Sequence, residues 1–182
     1  MIETPCLALL RGINVGGNNL IKMAELKKLF EEKGFENVKT YIQSGNILFR
    51  SPQKDRGKLK SEIEELLKER FGYPIRSVVV SLTELQEIIE QAPEGFGQQP
   101  ALYRYDVVFL KEPLTPSEAI KDISTKEGVD TVHAGNHALY FSRLISKASQ
   151  SRLAKIISLP VYPFMTIRNW NTVTKLLAMM ME

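Results

Sequence analysis

The chain has 182 residues, of which 43% are hydrophobic and 25% charged, and a formal net charge of +3. That balance suits one larger domain or two small ones and excludes a disordered chain, and no apolar run nears the roughly 20 residues that cross a bilayer. The first stretch, MIETPCLALLRG, has no basic leader and Cys6 is the one cysteine, so no signal peptide, no intrachain disulfide and a cytoplasmic location are expected.

In chain order, an apolar strand near Pro5–Leu10 runs into the loop RGINVGGNN. The amphipathic helix IKMAELKKLFEEKG follows, with Met23, Leu26, Leu29 and Phe30 on one face and Gly34 as its stop. If the loop before it is no more than a long connection, Asn18 or Asn19 caps it. A hairpin, VKTYIQ and ILFR, turns at Ser44-Gly45-Asn46. A helix from about Asp55 to Arg70, with Leu59, Ile63, Leu66 and Leu67 inward, then leads to the strand IRSVVVS. The helix LTELQEIIEQ and the loop APEGFGQQPA mark a boundary. Beyond it come the strand YRYDVVFL and a helix TPSEAIKDIST, with Thr115 as N-cap and Pro116 at its first position. The hairpin VDTVHAGNHALYFS, a helix SKASQSRLAKIIS, a strand near YPFMTIR and a closing helix NTVTKLLAMMM complete the chain.

The order βαββαβ occurs twice, so the expected class is α+β: two tandem ferredoxin-like halves packed as one compact body. The first half spans 1–80 and the second 101–168, with a linker helix and loop at 81–100 and a C-terminal helix at 169–182. VKTYIQSGNILF beside VDTVHAGNHALYF, each turning on Gly-Asn, predicts an internal duplication. Cys6–Leu10, Val78–Val80 and Val107–Leu110 are apolar at successive positions, so both faces of each sheet are expected to be covered.

Three stretches stand out as candidate sites. Gly12, Gly16 and Gly17, ahead of a helix start, supply the ingredients of an anion cradle; the bland alternative is a long capped loop. Gly45 and Asn46 serve a tight turn, which leaves Gln43 and Ser44 to face a ligand. Arg168, Asn169 and Trp170 stand where the last helix begins, with Asn169 or Asn171 as its cap. Trp170 is most simply a packing anchor, and Arg168 beside an aromatic plane also suits a phosphate with a stacked base. Enzyme constellations are thin. His133 and His137 lack partners for a metal, Ser44 has no histidine at hand, and Cys6 reads as a buried inert thiol. No metal and no cofactor is called for.

From Thr131 to Met181 the chain carries Arg143, Lys147, Arg152, Lys155, Arg168 and Lys175 and no acid, which favours anionic partners unless acids such as Glu62, Glu64 and Glu65 neutralise it. No ribonucleoprotein motif is present.

ALLRGINVGGNNLIKMAEL, YIQSGNILF and TIRNWNTVTKL closely resemble the signature segments of a bacterial family catalogued as domain of unknown function 1697. The resemblance implies two ferredoxin-like halves and no particular activity. It directs attention to Arg11, Gly12, Asn14, Gly16, Gly17, Gln43, Ser44, Gly45, Asn46, Arg168, Asn169 and Trp170. Lys22 departs from the small residue or proline expected before Met23.

The reading that follows is a binding module for a small phosphorylated ligand or nucleotide. Arg11 and Arg168 would hold the anion, the N–H groups of Gly16 and Gly17 cradle it, and Asn14, Gln43 and Asn46 orient it. The alternatives are RNA binding through the basic C-terminal third, a group-transfer enzyme acting on a phosphorylated substrate, whose catalytic residues the sequence does not nominate, and a purely structural protein. No membrane partner is expected, and the sequence assigns no oligomeric state.

Overall fold

Alternating and continuous apolar runs resolve, in a computed structural model that describes residues 4–182, into a mixed α+β fold with two four-stranded antiparallel sheets. The chain divides into two units, Met1–Leu85 with Leu176–Glu182, and Gln86–Lys175.

In the first unit β1 (Thr4–Leu10), β2 (Glu36–Tyr41), β3 (Asn46–Ser51) and β4 (Ser77–Ser81) lie in the order β2-β3-β1-β4. The period of two puts Cys6, Ala8, Leu10, Ile47 and Phe49 in one core with residues of α1 (Met23–Glu32) and α2 (Arg56–Phe71). Leu26, Phe30, Leu59, Ile63 and Leu67 recur at helical spacing and are fully buried, each worth about 1.5–3 kcal/mol of apolar transfer. Leu7, Leu9 and Leu48, on the opposite sheet face, are buried as well, as expected from the unbroken apolar run. At α2 the Asp55 carboxylate accepts a hydrogen bond from the Lys58 N–H, and Gly72 closes the helix in the left-handed region.

α1 begins later than its sequence suggests. Its N-cap is Lys22, whose side chain makes no capping bond, rather than Asn18 or Asn19. The helix α3 (Leu82–Glu90) follows β4 directly.

The second unit holds β5 (Tyr103–Leu110), β6 (Asp130–Ala134), β7 (Ala138–Leu144) and β8 (Met165–Asn169) in the order β6-β7-β5-β8. Val108, Leu110, Leu139, Phe141, Leu153, Ile156 and Met165 form its core. α4 (Pro116–Ala119) is capped by Thr115 in a full capping box, as its sequence predicts, but it passes after four residues into a 3₁₀ turn, Ile120–Asp122.

The expected helix over SKASQSRLAKIIS is not α-helical. Two 3₁₀ stretches, Ile145–Gln150 and Leu153–Ser158, take its place. The break lies at Ser151, which is extended at φ −63° and ψ 134°. There the buried Asp130 carboxylate accepts from the N–H groups of Arg152 at 2.7 Å and Leu153 at 3.4 Å. A side chain thus satisfies donors that a helix would satisfy with carbonyls. α5 (Trp170–Met180) ends the fold. Among the described residues no helix is long and apolar enough to cross a membrane.

Candidate functional site

The glycine loop is a miniature hairpin. Val15 and Asn18 pair across Gly16 and Gly17, whose φ values of +58° and +79° are those of a two-residue turn open to glycine. Asn14, itself at φ +53°, staples the loop. Its Oδ1 accepts from the Ile21 N–H at 2.8 Å, and its Nδ2 donates to the Ile21 carbonyl at 3.0 Å and the Gln43 carbonyl at 2.8 Å. Asn19 Nδ2 donates to the Gly12 carbonyl at 3.0 Å. The N–H groups of Gly16 and Gly17 make no hydrogen bond among the described residues.

The Asn14–Gln43 bond joins this loop to the turn of the first hairpin, and the Leu10 N–H donates to the Gly45 carbonyl at 2.8 Å. A Cβ on Gly45 would lie 2.7 Å from Ile13 Cδ1, so that position admits only glycine. Gln43 is exposed and Ser44 half-buried, whereas Asn46 is fully buried and donates from Nδ2 to the Tyr41 carbonyl. Asn46 therefore holds the turn; its side chain has no surface to offer a ligand. Between these residues Ile42 is exposed at φ +49°, a conformation a β-branched residue rarely takes. Arg11, Gly12, Gly16, Gly17, Gln43 and Ser44 thus share one tip of the first unit, with Asn14 and Asn46 supporting it.

In the second unit Arg168 lies within β8 and not at a helix start. It is 8% exposed, burial pushes its guanidinium down to about 10, and Nη1 donates to the Ile167 carbonyl. Asn169 caps α5, its Oδ1 accepting from the Asn171 N–H, and its Nδ2 donates to the Tyr105 carbonyl. The indole of Trp170 sits over Gly97, where a Cβ would be 2.2 Å from Nε1, and edge-on to Phe96 with centroids 5.1 Å apart. The boundary loop APEGFGQQPA is therefore packed into the second unit.

Sequence reading missed the setting of Asn169 and Trp170. β8 stops at Asn169 while β5 continues to Tyr103. Beside that free flank a cleft of about 390 Å³ is lined by Tyr103, Arg104, Tyr105, Arg143, Asn169, Trp170 and Asn171, with Pro100, Ile145 and Ala148. The lining holds two arginines and three aromatics and no acid. Arg104 and Arg143 are cross-strand neighbours, which only the β5–β7 register reveals. Asp106 takes Arg104 Nε at 2.7 Å.

Of the basic segment, Lys147, Arg152, Lys155 and Lys175 are exposed, Arg143 is half-buried and Arg168 is inside. Glu62 pairs with Lys33 at 3.1 Å and Glu64 accepts from the Ser77 N–H, each within the first unit. Cys6 is buried, and desolvation raises its thiol to about 11, which makes it inert at neutral pH.

Residues 4–140 match a family model described as a protein of unknown function, DUF1697. The matched span contains the glycine loop and the first hairpin but ends before β8. The structure of a conserved bacterial protein from Streptococcus pneumoniae is similar to this one, with a TM-score of 0.87 and 27% identity, covering 98% of this chain and 99% of that one. Comparison with curated proteins gives no match.

Proposed function

The chain belongs to DUF1697, a family of proteins of unknown function, and from that premise we propose that it binds a small phosphorylated ligand or nucleotide in the cleft of the second unit. The observation that carries this reading is the joint presence of Arg104, Arg143, Asn169 and Asn171 with Tyr103, Tyr105 and Trp170 around one cleft. Guanidinium forks match phosphate oxygens, and aromatic faces and edges suit a flat base. The volume of about 390 Å³ lies in the range of small-ligand pockets. A donor-rich lining without a carboxylate favours holding an anion over moving protons.

The tip formed by Arg11, Gly12, Gly16, Gly17, Gln43 and Ser44 is the first unit's own set of donors. We read each unit as ferredoxin-like, a reading supported by strand orders β2-β3-β1-β4 and β6-β7-β5-β8.

Thermal unfolding against AMP, a sugar phosphate, inorganic phosphate and a short RNA, at low and moderate salt, tests the proposal. A ligand at a hundred times its Kd adds about 2.7 kcal/mol, a rise of several degrees at this length. The expected rise with AMP persists in Arg11→Ala and is lost in Arg143→Ala. Loss in Arg11→Ala instead moves the site to the glycine loop. A rise with RNA alone, falling steeply with salt, replaces the proposal with nucleic-acid binding. No rise with any of them overturns it.

A further inference from the structure

A second pocket, of about 220 Å³, adjoins the same two arginines. Arg104 and Arg143 line it together with Asp106, and the rest of its wall is apolar: Phe141, Leu153, Ile156, Ile157, Tyr162 and Ile167, with Ala154. We propose that this pocket receives an aliphatic substituent of the ligand whose phosphate is held by Arg143 beside the Arg104–Asp106 pair, so that the ligand class is a phosphate ester carrying a short hydrocarbon chain. The inference rests on the anion reading given above and specifies what that anion is attached to.

Three observations carry it. The register puts Arg104 opposite Arg143 and Asp106 opposite Phe141, with Val108 opposite Leu139. Along one sheet face the pairs pass from charged to apolar within two steps. A molecule lying on that face meets cations at one end and hydrocarbon at the other, which is the pattern of an amphiphilic anion.

Two carboxylates, Asp106 and Asp130, lie among the two guanidiniums, and only one of them forms an ion pair with an arginine. Asp106 is joined to Arg104. Asp130, opposite Arg143 on β6, is held by the N–H groups of Lys126, Arg152 and Leu153. Among the described residues the Arg143 side chain has no ion-pair or hydrogen-bond partner. The N–H donors of the Arg143 guanidinium are thus the ones left for an anionic group. The Oδ1 of Asp106, buried and without a hydrogen-bond partner among the described residues, disfavours a second anion beside it and accepts a hydroxyl donor.

One wall of the pocket comes from Leu153–Ser158, a 3₁₀ stretch where SKASQSRLAKIIS predicts a helix. On that stretch Ile157 is 67% exposed. A large apolar side chain at the rim of a small pocket, with cations across from it, offers contact to a chain that enters from solvent.

Titration calorimetry of the full chain with inorganic phosphate, methyl, butyl and hexyl phosphate, and AMP tests the proposal. Affinity should rise about fourfold per added methylene until the pocket is filled. Ile157→Asn, an uncharged polar change at an exposed position, and Ala154→Phe, which fills the pocket, should both flatten the series while leaving inorganic phosphate and AMP binding unchanged. Arg143→Ala should weaken every member. A flat series in the wild type, with AMP bound as before, overturns this inference and leaves the anion site standing. A series that survives both Ile157→Asn and Ala154→Phe overturns it too. Absence of binding by every phosphate overturns both readings.

Discussion

Asp130 is the residue on which the local structure of the second unit turns. It is 3% exposed, and its carboxylate accepts from the backbone N–H groups of Lys126, Arg152 and Leu153. Burial alone would raise its pKa, but the hydrogen bonds from Ser151, Lys126, Arg152 and Leu153 outweigh burial and hold it below the ordinary carboxylate value. A carboxylate depressed in the folded state stabilises above its unfolded value, near pH 4, and that stabilisation fades as pH falls through the lower folded value. Asp130→Asn should therefore cost about 2 kcal/mol at pH 7. In urea denaturation its gap to the wild type should narrow steadily below about pH 4; a gap independent of pH would refute this account. None of this is legible in VDTVH. The residue reads as one polar position in a strand, because its partners at Arg152 and Leu153 arrive from far along the chain. Arg104 and Arg143 are hidden in the same way. Gly16, Gly17, Gly45 and Asn169 are readable because a turn or a cap is decided within a few residues.

At the scale of elements, α1 starts on an uncapped residue. Lys22 sits at φ −73° and ψ 130°, the extended geometry of an N-cap, but a lysine cannot bond back to the first-turn N–H groups. Lys22→Ser should supply that acceptor and stabilise the first unit by about 1 kcal/mol, read as a raised urea midpoint with an unchanged slope. No change in midpoint would mean that the first turn is already satisfied another way. Of the two asparagines named as caps, Asn19 is used by the loop instead, its Nδ2 donating to the Gly12 carbonyl. Strands and long helices were legible because their periodicity is strong, as in α2 between Asp55 and Gly72. The 3₁₀ turns of the second unit were not. SKASQSRLAKIIS carries a helical apolar spacing, and the side chain that interrupts it belongs to β6.

For the molecule as a whole, each unit has its own sheet and its own core. Their membership is not collinear with the chain, since Leu176–Glu182 belongs with Met1–Leu85. The closing segment contributes the fully buried Leu176, the buried Met180 and an ion pair between Glu182 and Lys39. Truncation after Lys175 should lower stability by about 4 kcal/mol or more, since buried leucine and methionine each count for about 2–5 kcal/mol. Circular dichroism melting should show a markedly reduced Tm, and an unchanged Tm would contradict this division of the chain. The same division gives the two units different histories during synthesis. Every residue of the second has been made once Lys175 is added, whereas the first then still lacks the residues that seal it. The last residue of the N-terminal unit is therefore made after the last residue of the second, so the unit that begins first is not the one completed first.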